Sequence, residues 1–437
     1  MICIFYRDLT IYFLKLIFLL TIFPNFVIAQ NNSLTPSVNQ LVEKALANNG
    51  ELIAFRLDIE RAKARLKQAG LRPNPSIDFE HSTGKLTNTQ NESNTSVGFS
   101  LPIELGGKRQ RRIDLAQAEI NFTEMVVADK ERRLANEVRA IYTEVLAAMR
   151  ELEITNNLSN LDAQTTQIVE VRVKEGDAAP LEMNLLKVEV ERLKSRRILI
   201  EGRLQAATLR LKNIIGLPID EQIVFEQELT KTVASTIPNL SDLIQVALQT
   251  RPDLKAIRLE EEIAKVGLRL AKTQVIPDLT LSTRYSRENS SFDTTPVGAI
   301  FDKDNLFTFG VSINLPIFNR NQGIQAETSI SITQAQRRRE FLEQLVKTEV
   351  TTTYTRFITA QNASTNFEQG VINSSTNNLR IFREIYNLGE FKITDLITEQ
   401  RRLVDSQREY TEVLAEKYRA WSDLQSAIGL TTITGGN

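Results

Sequence analysis

The sequence predicts a mainly α-helical fold with short β-strands, in which a helix–β-hairpin–long-helix unit occurs twice along 437 residues. Three observations carry this prediction: a duplicated helix, two long stretches without proline, and short segments of alternating polarity. The duplicated helix is the plainest, because residues 45–64 read ALANNGELIAFRLDIERAKA and residues 247–266 read ALQTRPDLKAIRLEEEIAKV, with nine of twenty positions identical. A repeat of this kind indicates two copies of one structural unit.

The two copies continue well beyond this helix. Residues 101–103 and 315–317 both read LPI, and residues 215–217 and 428–430 both read IGL, at offsets of 214 and 213. The near-constant offset indicates that the whole unit is duplicated. We therefore divide the chain into repeat one (38–218), a linker (219–239) and repeat two (240–430).

The N-terminal segment differs in composition from the rest of the chain. Residues 11–29 are apolar except for two positions, follow a basic residue and end on Val-Ile-Ala. This pattern predicts a secretory signal peptide over residues 1–29, which leaves residues 30–437 as the mature chain and removes Cys3. An uncleaved N-terminal membrane anchor is the alternative.

Proline placement predicts two unusually long helices. Pro102 and Pro180 bracket a stretch without proline, and no proline follows Pro316. Because proline breaks helix interiors, we expect helices over 108–174 and 320–386, each roughly 100 Å long. Apolar residues in the first helix alternate at steps of four and three, the pattern of a coiled coil. These residues are Leu134, Val138, Ile141, Val145, Ala148 and Leu152. An ordinary dimeric coiled coil would show the same pattern.

Alternating segments predict four short strands. Residues 95–101 and 307–315 alternate strictly, residues 77–81 and 279–285 do so more weakly, and we expect the extra residues of the second copy in a loop around 289–303. The length matches a transmembrane strand, although a short core sheet would alternate in the same way. Four strands cannot close a barrel, and lipid does not tolerate open sheet edges, so closure requires several chains. Three chains give twelve strands, whereas the eight strands of two chains form a barrel filled by side chains.

Composition argues against most kinds of chemistry. The net charge of −1 predicts no nucleic-acid partner. One histidine, His81, and one cysteine supply neither a metal site nor a catalytic triad. Gly107-Lys108 lacks the Ser or Thr of a phosphate-binding loop. We therefore expect no enzyme activity, no cofactor and no bound metal.

The duplication, the strand pairs between helices and the glycine turns resemble the TolC-type outer-membrane efflux channel family, also called outer membrane factors. The resemblance implies a homotrimer in which a twelve-stranded transmembrane β-barrel, four strands per chain, continues as an α-helical barrel into the periplasm. It implies a passive exit duct of a tripartite system, which passes small solutes or metal cations to the exterior. The implied partners are a periplasmic adaptor (membrane fusion protein), an inner-membrane pump and outer-membrane lipid.

Two alternatives to this function stay open at the level of sequence. One is the outer-membrane channel of a type I protein secretion system, and the other is a periplasmic coiled-coil adaptor or scaffold. An adaptor would carry one helical hairpin flanked by compact β modules, whereas this chain predicts two long-helix pairs. Residues 101–112, LPIELGGKRQRR, resemble the cobalt-zinc-cadmium resistance branch of the family.

The resemblance also assigns roles near the two glycine turns, which would form the periplasmic tip. Asp395 lies six residues after Gly389, where the family carries a gate carboxylate, and Glu182 holds the matching place after Gly176. The family's second acidic position is Thr398 here, which argues against a double carboxylate ring. A carboxylate that only favours the helix start is the alternative for Asp395. The residues implied to contact the adaptor are Val173, Gly176, Leu388 and Gly389.

A basic cluster begins the first long helix. Lys108, Arg109, Arg111 and Arg112 lie at a helix N-terminus, where the macrodipole disfavours cations. They would face phospholipid headgroups, or alternatively form a solvated helix end.

Overall fold

The computed structural model describes residues 37–84, 92–225, 229, 238–294 and 298–431, so the signal-peptide prediction lies outside the described residues. Both halves have the same element order: two helices, two strands, a long helical rod and a second long helix. The first half comprises α1 (Val38–Asn48), α2 (Gly50–Ala69), β1 (Ser76–Thr83), β2 (Ser93–Ile103), α3 (Lys108–Glu175) and α4 (Pro180–Ile214). The second comprises α5 (Leu240–Thr250), α6 (Pro252–Thr273), β3 (Leu279–Thr294), β4 (Gly298–Ile313), α7 (Gln322–Asn366), a π-helical segment (Phe367–Ile372), α8 (Asn373–Asn387) and α9 (Ile393–Ala427).

The helices pack side by side around the long rods. At the end near the sheet, α3 contacts α2 and α6, and α6 contacts α7. Toward the other end, α3 contacts α4 and α9, and α9 contacts α7 and α8. The helices α4, α3, α9 and α7–α8 therefore follow one another laterally, with α4 and α7–α8 at the two edges.

The predicted apolar stripe of α3 is buried inside the chain itself. Leu134, Val138 and Val145 pack in one core cluster with residues of α1, α4 and α9, such as Leu41 and Leu414. Ala148 is also buried, and Ile141 is partly buried. The stripe is thus satisfied by helices of the same chain, which contradicts an ordinary dimeric coiled coil.

The second long rod differs from its prediction over 320–386. It begins at Gln322, after Asn321 in the left-handed conformation, and the π-helical segment interrupts it. A π turn has hydrogen bonds from residue i to i+5 and accommodates an extra residue within a helix. The absence of proline after Pro316 cannot reveal such an insertion, which is why the sequence predicted an uninterrupted helix.

The four strands form one antiparallel sheet in the order β1-β2-β3-β4. The central pair, β2 with β3, joins the two halves, with Ser93 opposite Asn289 and Ile103 opposite Leu279. The loop predicted around 289–303 was wrong, because β3 and β4 continue through it and pair as far as Thr294 with Gly298. Main-chain pairing in a hairpin does not depend on apolar alternation, so this polar extension carried no strand signal.

The repeated Ile-Gly-Leu motif closes each half against its own first helices. Gly216 has φ +71°, and a Cβ there would lie 2.5 Å from the Asn48 carbonyl oxygen, so only glycine fits. Beside it, Asn49 Nδ2 donates to the Ile214 carbonyl oxygen at 2.8 Å. In the second half, Gly429 makes the same close approach to residues 250 and 251. The duplicated motif is therefore explained by a duplicated backbone contact.

Candidate functional site

The two turns that end α3 and α8 have the same backbone form, and we call them together the tip (residues 172–182 and 386–395). Gly176 and Gly389 both have φ +83° and lie just after the ends of α3 and α8. Gly176 N–H donates to the Val173 carbonyl oxygen at 3.3 Å, and Gly389 N–H donates to the Tyr386 carbonyl oxygen at 2.9 Å. Sequence reasoning placed both turns correctly, because glycine is the usual residue after a helix end.

Side chains link one turn of the tip to the other. The Arg172 guanidinium lies 5.2 Å from the centre of the Tyr386 ring and donates to the Tyr386 carbonyl oxygen at 3.4 Å. The Tyr386 hydroxyl donates to Glu182 Oε2 at 3.2 Å. Burial, followed by the negative charge of Glu182, raises the pKa of the Tyr386 phenol to about 12, so this hydroxyl stays a donor at neutral pH. Glu182 therefore takes part in a contact between the helical hairpin of α3 and α4 and that of α8 and α9.

Asp395 has a different environment from Glu182. Its side chain is exposed, and Oδ2 accepts a hydrogen bond from the Lys392 backbone N–H at 3.2 Å. This contact caps the first turn of α9, as a carboxylate at a helix N-terminus favours. The two carboxylates that the repeat makes equivalent thus have different partners, and one of them is open to solvent.

The four residues expected to contact an adaptor divide by exposure. Leu388 is 76% exposed, and Gly176 and Gly389 are exposed as well. Val173 is half-buried and packs against an apolar cluster that includes Leu186. Leu181 is another large apolar side chain of the tip that is exposed, at 65%, whereas Val173 chiefly supports the turn.

A buried polar cluster lies further along α3. Asp162, Glu189 and Gln400 come from α3, α4 and α9, and all three are buried. The Arg401 guanidinium donates to the Glu189 carboxylate, whereas among the described residues none, including the nearby Gln400, meets hydrogen-bond geometry with either oxygen of Asp162. Burial, and then the charge of Glu189, raises the pKa of Asp162 to about 6, against the opposing effects of Gln400 and Arg401.

Sequence reasoning missed this cluster although a signal was present. The buried residues of α3 near it continue the alternating steps of three and four, and Asp162 occupies one of these inward positions. They are Thr155, Leu158, Asp162, Thr165 and Val169. Burying a carboxylate among apolar residues costs free energy, so Asp162 in this stripe could have been recognised as a candidate functional residue.

The basic cluster at the start of α3 has partners inside the chain. Lys108 Nζ lies 2.8 Å from Asp278 Oδ1, and Arg109 Nε donates to the Gly70 carbonyl oxygen at 2.6 Å. Arg112 pairs with Glu104, and this hydrogen bond raises the pKa of Arg112. Lys108 and Arg112 thus have partners within the chain, Arg109 remains exposed beside its carbonyl contact, and headgroup contact stays a prediction. The contacts of Lys108, Arg109 and Arg112 hold α2, the sheet and α3 together at their junction. Side-chain donors can satisfy the unpaired carbonyl groups at the end of a helix.

The sheet has one apolar and one polar face. Alternate residues of each strand point to one face. The row Phe79, Val97, Tyr285 and Phe307 crosses all four strands, and each of these side chains is more than 40% exposed. Residues of the other parity are mainly Ser, Thr, Asp, Glu and Gly. An exposed apolar face of this extent indicates a surface that is covered by lipid or protein.

Two further observations concern the described part of the chain. No helix in it combines the length and apolar character needed to cross a bilayer. Its His, Cys, Asp and Glu residues form no group of three or more that could hold a metal ion.

Comparison with known proteins identifies the family. The model of the family described as "Outer membrane efflux protein" matches residues 41–217 and 243–430. The chain belongs to the outer membrane efflux protein family. This membership confirms the resemblance drawn from the duplication and the glycine turns, and it places the protein among outer-membrane efflux channels rather than in an enzyme family.

Several relatives align with this chain over most of its length and over most of their own. The cobalt-zinc-cadmium resistance protein CzcC of Cupriavidus metallidurans is 23% identical over 424 residues, which cover 93% of this chain and 96% of the relative. The outer membrane protein TolC of Vibrio cholerae is 22% identical over 377 residues, covering 80% and 84%. The crystal structure of the open state of the Neisseria gonorrhoeae MtrE channel matches with a TM-score of 0.73 at 18% identity, covering 90% of this chain and 89% of MtrE. At this identity the structural match establishes the fold.

Proposed function

We propose that three copies of this chain form one passive duct, which receives metal cations or small solutes from an inner-membrane pump and a periplasmic adaptor. The observation that carries the proposal is a four-stranded sheet with one exposed apolar face, one polar face and two edge strands, β1 and β4, that pair with no further strand in the described part of the chain. We also propose that residues 1–29 direct the export of the chain. Within each copy, repeats one and two form two equivalent parts of the wall of the duct.

The edges of the sheet favour closure with further copies. Because all four strands are antiparallel, β4 of one copy runs antiparallel to β1 of the next and can pair with it. Unpaired edges are not tolerated in lipid, so the exposed apolar face requires such closure. Three copies give twelve strands and a wide lumen, whereas two copies give an eight-stranded barrel without an open channel.

The two edge helices support the same arrangement. On α4, the exposed apolar residues Leu181, Val188 and Leu199 are spaced seven and eleven residues apart, so they share one stripe. On α7, Phe341 and Leu345 form a second exposed stripe one turn apart. Burying these stripes requires a neighbouring helix, and the edge of a second copy supplies one.

Metal cations are the cargo that the relatives favour. CzcC is named for cobalt, zinc and cadmium resistance, and the similar protein CnrC of the same organism for nickel and cobalt resistance. A type I secretion channel is the second candidate, because the chain is 23% identical over 397 residues to toxin and drug export protein A of Aggregatibacter actinomycetemcomitans.

Growth of a deletion strain tests the cargo. We expect loss of the gene to sensitise cells to zinc, cobalt or cadmium by roughly tenfold or less in inhibitory concentration, since a passive exit limits the rate of an upstream pump. The intact gene should restore growth, and a variant that lacks residues 1–29 should not. Sensitisation to drugs alone would contradict metal cargo, and loss of a secreted protein without any sensitisation would favour the secretion channel.

The gate at the tip has its own expected result. We propose that Asp395 and Glu182 line the closed end and that Gly176, Leu388, Gly389 and Val173 form the surface for the adaptor. Asp395 carries the gate proposal because its carboxylate is exposed, and charged rings control conduction through narrow pores. Asp395→Ala should raise the resting conductance in a planar bilayer severalfold and weaken block by divalent cations.

Asp242→Ala is the matched control for this measurement. Asp242 occupies the same third position of α5 that Asp395 occupies in α9, and it is also exposed. Both variants therefore remove a carboxylate from the first turn of a helix, and Asp395→Ala also removes the hydrogen bond from the Lys392 backbone N–H. Equal conductance in the two variants would remove the gate role from Asp395.

A further inference from the structure

The polar face of the sheet contains a charged group that spans three strands. Arg284 in β3 lies opposite Gly98 in β2, and Gly98 lies opposite Asp78 in β1. The Arg284 Nη1 donates to Glu80 Oε2 in β1 at 2.9 Å and to Ser96 Oγ at 2.9 Å. The guanidinium therefore reaches over the middle strand to the edge strand.

Gly98 lies between Asp78 and Arg284 on this face and adds no side chain there. A Cβ placed at Gly98 would lie 3.7 Å from Asp78 Oδ2 and 3.8 Å from Arg284 Nε. Asp78 and Arg284 thus face each other across one empty position. The group brings two carboxylates and one guanidinium together, which gives a formal charge of −1 in each copy.

The neighbouring positions on this face are uncharged. Residues of the same parity on either side of the group are Ser76, Ser82, Asn94, Ser96, Ser100, Pro102, Thr280, Ser282, Ser286, Leu306, Thr308, Gly310 and Ser312. Further charges of this parity, Glu288, Asp302 and Asp304, lie nearer the β3–β4 turn, where Glu288 is opposite Asp304 and Asp302 is opposite Ser290. The group formed by Asp78, Glu80 and Arg284 therefore stands alone at its level of the described sheet.

The ion pair in this group contributes little to stability. The Arg284 side chain is 45% exposed and that of Glu80 is 70% exposed. Exposed pairs of this kind stabilise a fold only weakly, because water and salt screen them. Their charges stay accessible to any ion that passes along the polar face.

We propose that Asp78, Glu80 and Arg284 form a charged belt on the inner wall of the duct that sets its ion selectivity. The inference rests on the proposed trimeric barrel, in which the polar face lines the lumen. Three copies place six carboxylates and three guanidinium groups at one level, so the belt carries a net charge of −3. A lumen lined by one excess sign of charge concentrates ions of the opposite sign, and lumen substitutions tune selectivity. The belt favours cations, and Arg284 limits that preference.

Reversal potentials of the full mature protein in planar bilayers under a potassium chloride gradient test the belt. Arg284→Gln changes the belt to −6, and we expect the permeability ratio of potassium to chloride to rise at least about twofold. The double variant Asp78→Asn, Glu80→Gln changes it to +3, and we expect the ratio to fall below one. A purely structural role would change folding, but it would not make the permeability ratio rise in one variant and fall in the other.

Arg287→Gln is the matched control. Arg287 is exposed and lies three residues from Arg284 on the same strand. Because its parity is opposite, Arg287→Gln removes the same charge from the other face of the sheet. Its permeability ratio should equal that of the unaltered protein. Arg284→Lys keeps the charge and should also keep the ratio. Unchanged ratios in the charge variants, with normal conductance, would overturn the belt alone, whereas absent conductance in the unaltered protein would overturn the proposed channel.

Discussion

Replacing Arg251 with methionine is expected to lower the free energy of unfolding by about 3–5 kcal/mol, the cost of breaking a buried ion pair from one side. Arg251 is only 3% exposed, and its guanidinium is bonded to Asp253 Oδ2 at 2.6 Å and to Glu349 Oε2 at 2.7 Å. It also donates to the Ala427 carbonyl oxygen at 3.0 Å, where α9 ends. Burial lowers the pKa of Arg251, but the hydrogen bonds and charges of Asp253 and Glu349 outweigh burial and raise it. The variant would leave those carboxylates without their shared cation.

Thermal or denaturant unfolding in detergent, followed by the fluorescence of Trp421, measures this loss. Trp421 packs on Phe357 with ring centres 5.2 Å apart and belongs to the same core cluster as Ala427. Arg258→Met is the control, because Arg258 lies on the same helix but is 45% exposed, and its loss should cost no more than about 0.5 kcal/mol. Similar losses in the two variants would mean that the buried contacts of Arg251 are not what stabilises this end of the repeat.

Replacing Asp162 with asparagine is expected to stabilise the protein at neutral pH by at most about 3 kcal/mol. The carboxyl is buried without a donor, its pKa is raised from 3.8 to about 6, and it faces Glu189, Gln400 and Arg401. Between these two values the folded state binds more protons than the unfolded state, so stability falls as pH rises from about 4 to 6. Above pH 6 the burial cost is fully present. Asparagine carries no charge, so the gain should be large at pH 7.5 and small at pH 4.

The pH dependence separates this electrostatic effect from a change in packing. Unfolding midpoints of Asp162→Asn and of the unaltered protein should diverge as pH increases from 4 to 7.5. Asp405→Asn is the control, because its side chain on α9 is 64% exposed, and it should show no comparable divergence. A constant difference at all pH values would show that Asp162 does not titrate in this range.

Predictions from sequence succeeded where a residue type has one strong backbone preference. Gly107 and Gly176 flank α3, and the predicted helix over 108–174 agrees with Lys108–Glu175. At the matching start of α7 the chain has Asn321, which adopts φ 58° without the clear signal of glycine. The π-helical segment and the polar extension of the β3–β4 hairpin depend on main-chain hydrogen bonds, which leave little trace in side-chain polarity.

At the tip, the duplication reproduced the backbone but not the side-chain contacts. Glu182 and Asp395 hold equivalent places, yet Glu182 meets Tyr386 from the other hairpin and Asp395 binds Lys392 of its own turn. The offset between repeats could predict their positions, whereas their partners depend on residues that the repeats do not share. Asp162 was within reach of sequence reasoning, because extending the stripe of α3 places it inside.

The pairing of β2 with β3 has a consequence for the order of assembly. Ser93 and Asn289 are neighbours in the sheet but 196 residues apart along the chain. Contacts of such separation form late, since a long loop must be closed before any of them contributes. The β1–β2 hairpin therefore waits, with its apolar face uncovered, until the second half has been synthesised. A nascent chain of this design needs protection from aggregation for longer than its helices alone would require.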